Sequence, residues 1–133
     1  MKTSLQHLSL NVSDFAKSAS FYKDLLGYFE FKIQSEGEDY IGFSNGATDI
    51  WLGPAELKYS GNKFHRKNPG LNHLAFQVGS REEMDAFVED FLKPRNIPTL
   101  YGSPKLFPEY TPDYYAVYFE DPDRLKIEVL TGD

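Results

Sequence analysis

The chain has 133 residues, with 14 Lys and Arg against 20 Asp and Glu, and the net charge of −6 sets aside a nucleic-acid backbone or an anionic membrane as main partner. It contains no cysteine, which excludes disulfides, thiolate nucleophiles and Cys-ligated metals. Hydrophobic content of 41%, with nine Tyr, eleven Phe and one Trp, fits a single folded domain with its own core.

Met1-Lys2-Thr3-Ser4 leads straight into a strand pattern, without the apolar stretch of a signal peptide, and no apolar run reaches membrane-spanning length. The expectation is a soluble, cytoplasmic protein. Leu5 to Val12 alternates, with Leu8, Leu10 and Val12 on one face and His7, Ser9 and Asn11 on the other, as in a strand with one buried face. Ser13-Asp14 offers an N-cap, and Phe15, Ala19, Tyr22 and Leu26 carry a helical period that Gly27 ends. Phe29 to Ile33 reads as a strand with Phe29, Phe31 and Ile33 on one face. Tyr40 to Ser44 and Thr48 to Leu52 form a hairpin across Asn45-Gly46. Module one, 1–53, is therefore β-α-β-β-β.

Residues 54–70 are polar and punctuated by Pro and Gly, as in a connector. Module two, 71–133, repeats the order. Leu71 to Val78 is a strand, Ser80-Arg81-Glu82-Glu83 is a capping box, and the helix it opens runs to Leu92. A strand begins at Thr99 to Tyr101, and Gly102 to Asp113, rich in proline and aromatics, reads as a mobile loop over a pocket. Tyr114 to Glu120 and Leu125 to Leu130 form the closing hairpin. The fold expected is α+β, with two tandem βαβββ modules related by pseudo-twofold symmetry within one domain, 1–133.

The two modules share a motif. Leu5-Gln6-His7-Leu8 corresponds to Leu71-Asn72-His73-Leu74, and the same offset relates Phe21 to Phe87, Asp24 to Asp90 and Leu26 to Leu92. One face of each sheet must pack on its helix, so His7 and His73 point to the opposite, concave face. In the last strand Leu125, Ile127 and Val129 form the apolar side and leave Lys126 and Glu128 on the other, where a buried carboxylate needs a partner. Two imidazoles and one carboxylate form a facial set that suits one divalent ion, Fe, Mn, Zn, Ni or Co, and leaves positions open for substrate. Aligning Ile50-Trp51-Leu52 with Ile127-Glu128-Val129 puts Trp51, a pocket wall, where a fourth ligand would stand, and Asp49 shares its face as a weaker ligand candidate. Tyr118 lies on the concave face and reads as a catalytic proton or hydrogen-bond donor. Tyr40 and Tyr101 are further pocket candidates, Tyr114 reads as packing, His65 as part of a solvated basic patch, and Arg124 as a strained turn residue.

Leu5-Gln6-His7-Leu8, Phe21-Tyr22-Lys23-Asp24-Leu25-Leu26-Gly27, Asn72-His73-Leu74-Ala75-Phe76 and Tyr118-Phe119-Glu120-Asp121-Pro122-Asp123 leading to Glu128 resemble the vicinal oxygen chelate superfamily, which holds glyoxalase I, extradiol dioxygenases, fosfomycin-resistance enzymes and bleomycin-binding proteins. The resemblance covers nearly the whole chain. It implies a cupped sheet with helices on the outer face, a metal on His7, His73 and Glu128, and a homodimer. Glyoxalase I resembles a four-ligand site, and Trp51 departs from it. Ring-cleaving dioxygenases have a tyrosine ten residues before the glutamate, as Tyr118 is, but also an upstream histidine that Glu109-Tyr110-Thr111 does not supply. Fosfomycin-type enzymes share the ligand set and chain length, although the basic tail they usually carry is absent from Thr131-Gly132-Asp133. The function expected is a metal-dependent enzyme (lyase or isomerase, ring-cleaving dioxygenase, or epoxide-opening transferase) that chelates vicinal oxygens of a small apolar or aromatic substrate. The alternative is a metal-free sequestering module of the bleomycin-resistance type.

Overall fold

The computed structural model describes residues 1–132. The chain divides into two compact units, Met1–Lys63 and Phe64–Asp133, and the boundary falls inside the expected connector, whose one regular piece is a 3-10 turn at Leu57–Tyr59.

In the first unit, β1 (His7–Val12), β2 (Lys32–Glu36), β3 (Ile41–Ser44) and β4 (Asp49–Pro54) form a mixed sheet in the order β1-β4-β3-β2, with β1 parallel to β4 and the other pairs antiparallel. Helix α1 (Phe15–Tyr28) packs on β4 and β2. The Asp14 side chain accepts the Lys17 amide at 3.1 Å and so caps it. Its buried face is Ser18, Tyr22, Leu25 and Leu26, and each of the last three contributes roughly 1.5–3 kcal/mol by leaving water.

Gly27 does not end the helix. The chain leaves it through Glu30 at φ 65°, and the Phe31 amide reaches back to the Leu26 carbonyl at 2.8 Å. This is a Schellman-type exit with glutamate where glycine is favoured. The later exit moves the next strand to Lys32–Glu36, which has a bulge between Ile33 and Ser35, and Ile33, expected on one face with Phe29 and Phe31, is exposed.

In the second unit, β5 (His73–Gln77), β6 (Thr99–Leu106), β7 (Tyr115–Glu120) and β8 (Lys126–Thr131) repeat the arrangement as β5-β8-β7-β6, again with one parallel pair, β5 and β8. Two tandem βαβββ modules are thus present. Ser80 accepts the Glu83 amide at 3.1 Å, while the Glu83 carboxylate accepts from Gly79 rather than from Ser80. The expected capping box is offset by one residue. Helix α2 (Arg81–Phe87) then widens into a π turn over Val88–Leu92, and Phe87 stacks on Phe91 at 5.2 Å and meets Phe119 of β7 at 5.7 Å.

The stretch expected as a loop from Gly102 to Asp113 is strand as far as Leu106. Strand β6 breaks register between Leu100 and Lys105, where Tyr101 and Gly102 take positive φ. The Ser103 hydroxyl fills the gap in the ladder, since it donates to the Leu100 carbonyl at 2.6 Å and accepts the Tyr118 amide at 3.0 Å. Strand β7 is buried on both faces. Val117 and Phe119 join the core beneath the helix, whereas Ala116 and Tyr118 pack with Phe107, Leu100, Tyr114 and Leu130 on the other side. Among the described residues no helix is long and apolar enough to cross a membrane.

Candidate metal and substrate site

Alternation along β8 directs Glu128 away from the helix, and the satellite core of β7 closes over it, so that the residue is only 2% exposed. A carboxylate this buried is tolerated because its oxygens are engaged. Tyr114 and Tyr118 donate their hydroxyls to Oε1 at 2.5 and 3.0 Å, and Oε2 lies 3.1 Å from His73 Nε2. Tyr118 is the register partner of Glu128 on β7, while His73 reaches it diagonally from β5, where Ala75 stands opposite. Burial, and then the adjacent Glu128 carboxylate, push the Tyr118 hydroxyl well above the usual phenol range, and Tyr114 is raised by the same causes in the same order. Both phenols therefore stay protonated as donors.

The other ring nitrogen of His73 is also fixed. Nδ1 lies 2.7 Å from Asn72 Oδ1 and donates to it, and Nε2 faces a Glu128 carboxylate oxygen. A ring nitrogen and a carboxylate oxygen approach this closely with a proton or a cation between them. This donor set fits a divalent ion, with His73 Nε2 and Glu128 Oε2 as neighbouring ligands.

Lys126, the register partner of His73, extends the site. Its amine lies 5.3 Å from the Tyr101 ring and 5.5 Å from the Tyr118 ring, and donates to the Tyr101 hydroxyl at 3.3 Å. Burial acts to raise the Tyr101 phenol, but Lys126 and then Arg66 outweigh it and bring the hydroxyl below its ordinary value. The Tyr101 ring meets Tyr118 edge-on at 5.3 Å, so this predicted pocket residue lies against the predicted catalytic tyrosine. Arg66 is held by Glu120 at 2.6 Å.

In the first unit, His7 is exposed at the start of β1, and its Nδ1 is hydrogen-bonded to Gln6 Oε1. Its register partner is Asp49, which is buried and accepts from Gln6 Nε2 at 3.1 Å. A hydrogen bond from Ser44 is the main cause that holds the Asp49 carboxyl below its usual value; burial opposes it, and Gln6, Gln34 and His7 add to the lowering. Trp51 pairs with Gly42 as Glu128 pairs with Tyr118, and its ring lies so close over Gly42 that a Cβ there would stand 2.4 Å from it. Unit one thus replaces a hydrogen-bonded Tyr–Glu pair by a Gly–Trp packing pair. Tyr40 is exposed and lies over Gly37 in its own turn. An open groove of this unit runs along Lys32, Gln34 and Ser44 and includes none of the predicted pocket residues.

The structure brings together His73, Glu128, Tyr118 and Tyr101, and sets His7 beside Asp49. Among the described residues no three His, Asp or Glu side chains cluster at metal-ligand spacing. Sequence reasoning missed the role of Tyr114, which shares the parity of Tyr118 along the chain, and placed Lys126 on the face of Glu128 without giving it a task. It also passed over Gln6 and Asn72, although they occupy the same place in the repeat.

The chain matches the model of the Glyoxalase/Bleomycin resistance protein/Dioxygenase superfamily over residues 4–129. It is 32% identical to the uncharacterized protein YqjT of Bacillus subtilis, over 95% of this chain and 97% of that one. It is 30% identical to the metallothiol transferase FosB of Staphylococcus epidermidis, over 96% of this chain and 83% of that one. Its fold superposes on the crystal structure of a glyoxalase candidate from Bacillus halodurans with a TM-score of 0.87 and 34% identity, covering 96% of this chain and 95% of the other. The fosfomycin resistance protein FosX of Listeria monocytogenes shares the fold, with a TM-score of 0.73 and 22% identity, over 100% of this chain and 96% of that one. The repeated βαβββ units and these matches, which run almost from end to end, place the chain in the Glyoxalase/Bleomycin resistance protein/Dioxygenase superfamily, to which it belongs.

Proposed function

We propose that the chain is a metal-dependent enzyme whose one divalent ion is held by His7, His73 and Glu128. The observation that carries this reading is the buried Glu128 carboxylate with one oxygen 3.1 Å from Nε2 of His73. When bound, the ion would act as a Lewis acid on two neighbouring oxygens of a small substrate. His7 is the third proposed ligand, and the active form is a homodimer in the cytoplasm.

The remaining residues have separable tasks. Tyr118 and Tyr114 both donate to Glu128 Oε1 and hold it in place. With substrate bound, the Tyr118 hydroxyl turns from Glu128 to an oxygen that gains charge at the reacting centre, and Tyr114 keeps the carboxylate in position. Lys126 and Tyr101 give the pocket a cationic corner between aromatic rings, which suits a substrate with an apolar body and an oxygen-rich end. Trp51 walls the first unit's face. Asp49 is engaged by Gln6, so its task is to orient that amide rather than to bind metal.

The metallothiol transferases support thiol transfer to a small electrophile as the reaction, because they align along nearly the whole chain at 28–31% identity. The test supplies the protein with Mn, Zn, Ni, Co or Fe(II) and offers three chemistries in parallel: a thiol with fosfomycin, the methylglyoxal–glutathione adduct, and catechol. A metal-dependent thiol adduct of fosfomycin is expected, and Tyr118→Phe should lower kcat more than it raises KM. Turnover of catechol alone would overturn the transferase reading, and metal-independent ligand binding without turnover would favour a sequestering module.

A further inference from the structure

Each proposed histidine ligand follows a residue with a side-chain amide, Gln6 before His7 and Asn72 before His73. Successive side chains of a strand point to opposite faces and do not meet. Here they do, because β1 starts at His7 and β5 at His73, which leaves each amide residue outside the pleat. The amide oxygen then faces Nδ1 of its own histidine: Gln6 Oε1 on His7, and Asn72 Oδ1 on His73 at 2.7 Å.

Which end of each amide faces the ring is fixed from behind. Gln6 Nε2 donates to Asp49 Oδ2 at 3.1 Å, and Asn72 Nδ2 donates to the Arg66 carbonyl at 3.2 Å. Both anchors accept hydrogen bonds and cannot donate them, so the amide nitrogen must turn to the anchor and the oxygen to the imidazole. An oxygen at Nδ1 requires a hydrogen there, which makes Nε2 the nitrogen left to bind an ion; at His73 it faces Glu128 Oε2 at 3.1 Å. The anchors differ in kind, a carboxylate across the sheet in one unit and a main-chain carbonyl of the connector in the other. The same outcome is reached twice by different means.

We propose that Gln6 and Asn72 are positioning residues that hold His7 and His73 as the Nδ1–H tautomer with Nε2 presented as the ligand atom, and that Asp49 and the Arg66 carbonyl aim the two amides. This rests on the metal reading above, and its test separates the two. Two-bond 15N–1H correlation spectra of the imidazoles, recorded on the metal-free protein at about pH 8.5, two units above the free imidazole value, report the tautomer directly. Zinc titration of the same samples reports affinity.

The wild-type chain should show a hydrogen on Nδ1 of both histidines, whether or not Nε2 of His73 also carries one toward Glu128. Gln6→Leu should move only His7 toward Nε2–H, and Asn72→Leu only His73, each with about a 10–100-fold loss of zinc affinity and an unchanged circular dichroism spectrum. Asn72→Asp, which keeps the acceptor, should retain Nδ1–H at His73. Wild-type Nε2–H tautomers, or leucine variants with unchanged tautomer and affinity, would overturn the proposal while the metal site stands. Nδ1–H tautomers in a wild-type chain that binds no zinc would instead overturn the metal reading, and with it the task assigned to the amides.

Discussion

Replacing Tyr118 and Tyr114 by phenylalanine, singly and together, probes how the buried Glu128 is tolerated. Tyr118 is 5% exposed and its hydroxyl donates to a carboxylate at 3.0 Å, so Tyr118→Phe removes a charge-assisted hydrogen bond from a dry site. Such bonds contribute about 1.5–3 kcal/mol, and the expected loss lies in the upper half of that range. Tyr114 is only half-buried, and although its contact is shorter, at 2.5 Å, water can replace part of it; a loss of about 1–2 kcal/mol is expected. Both hydroxyls serve the same oxygen. Either single variant leaves Oε1 with one donor, whereas the double variant leaves it with neither and adds the desolvation penalty of a bare buried charge. The double loss should therefore exceed the sum of the singles by about 1 kcal/mol or more. Urea unfolding of the metal-free protein, followed by Trp51 fluorescence and circular dichroism, measures all four corners of the cycle. Additive losses, or a Tyr118→Phe variant within about 0.5 kcal/mol of wild type, would refute the idea that these donors hold the carboxylate in place.

Three further outcomes follow from local geometry. Glu30 ends α1 at φ 65° with an exposed side chain, so Glu30→Gly should stabilise the fold by up to about 1 kcal/mol, and a lower unfolding midpoint would contradict that account of the helix exit. Gly42→Val places a side chain into the Trp51 ring and should cost about 1–3 kcal/mol, a loss that Trp51→Ala should largely relieve when the two are combined. Burial, and then its hydrogen bond to Asp85, raise the Tyr115 hydroxyl above its ordinary value of about 10, so the folded state holds that proton more tightly than the unfolded chain. The stability it contributes is complete below pH 10 and falls as pH rises past it; Tyr115→Phe should flatten that part of the alkaline unfolding curve, and an unchanged slope would count against the contact.

The repeat makes much of the fold legible in the sequence. Alternation set the faces of β1, β5 and β8, and the matched histidines fixed the equivalence of the modules, which the identical strand orders bear out. Misplacements occurred where backbone geometry departs from residue preference. Glycine at position 27 suggested a helix end, but the left-handed residue is Glu30, and the shift carried β2 with it. Proline and aromatics between Gly102 and Asp113 suggested a loop, because nothing in composition shows that the Ser103 hydroxyl substitutes for a ladder partner. At the site, Glu128 was found from the cost of burying a lone charge, and Tyr118 from its face. Tyr114, expected as the first residue of the strand and read as packing, lies just before β7, and its reach to Glu128 depends on the turn after Phe107. The roles of Gln6 and Asn72 depend on where β1 and β5 begin, which alternation alone leaves open by a residue or two.

The central claim, a divalent ion on His7, His73 and Glu128, is tested most directly by metal content per chain. Protein reconstituted with Mn, Fe, Co, Ni or Zn, freed of excess ion and weighed by elemental analysis, should carry about one ion per chain. His7→Ala, His73→Ala and Glu128→Ala should each lose it while keeping the wild-type circular dichroism spectrum. Full metal content in the His7→Ala protein would remove His7 from the ligand set, and no retained metal in the wild-type chain with any of the five ions would contradict the account.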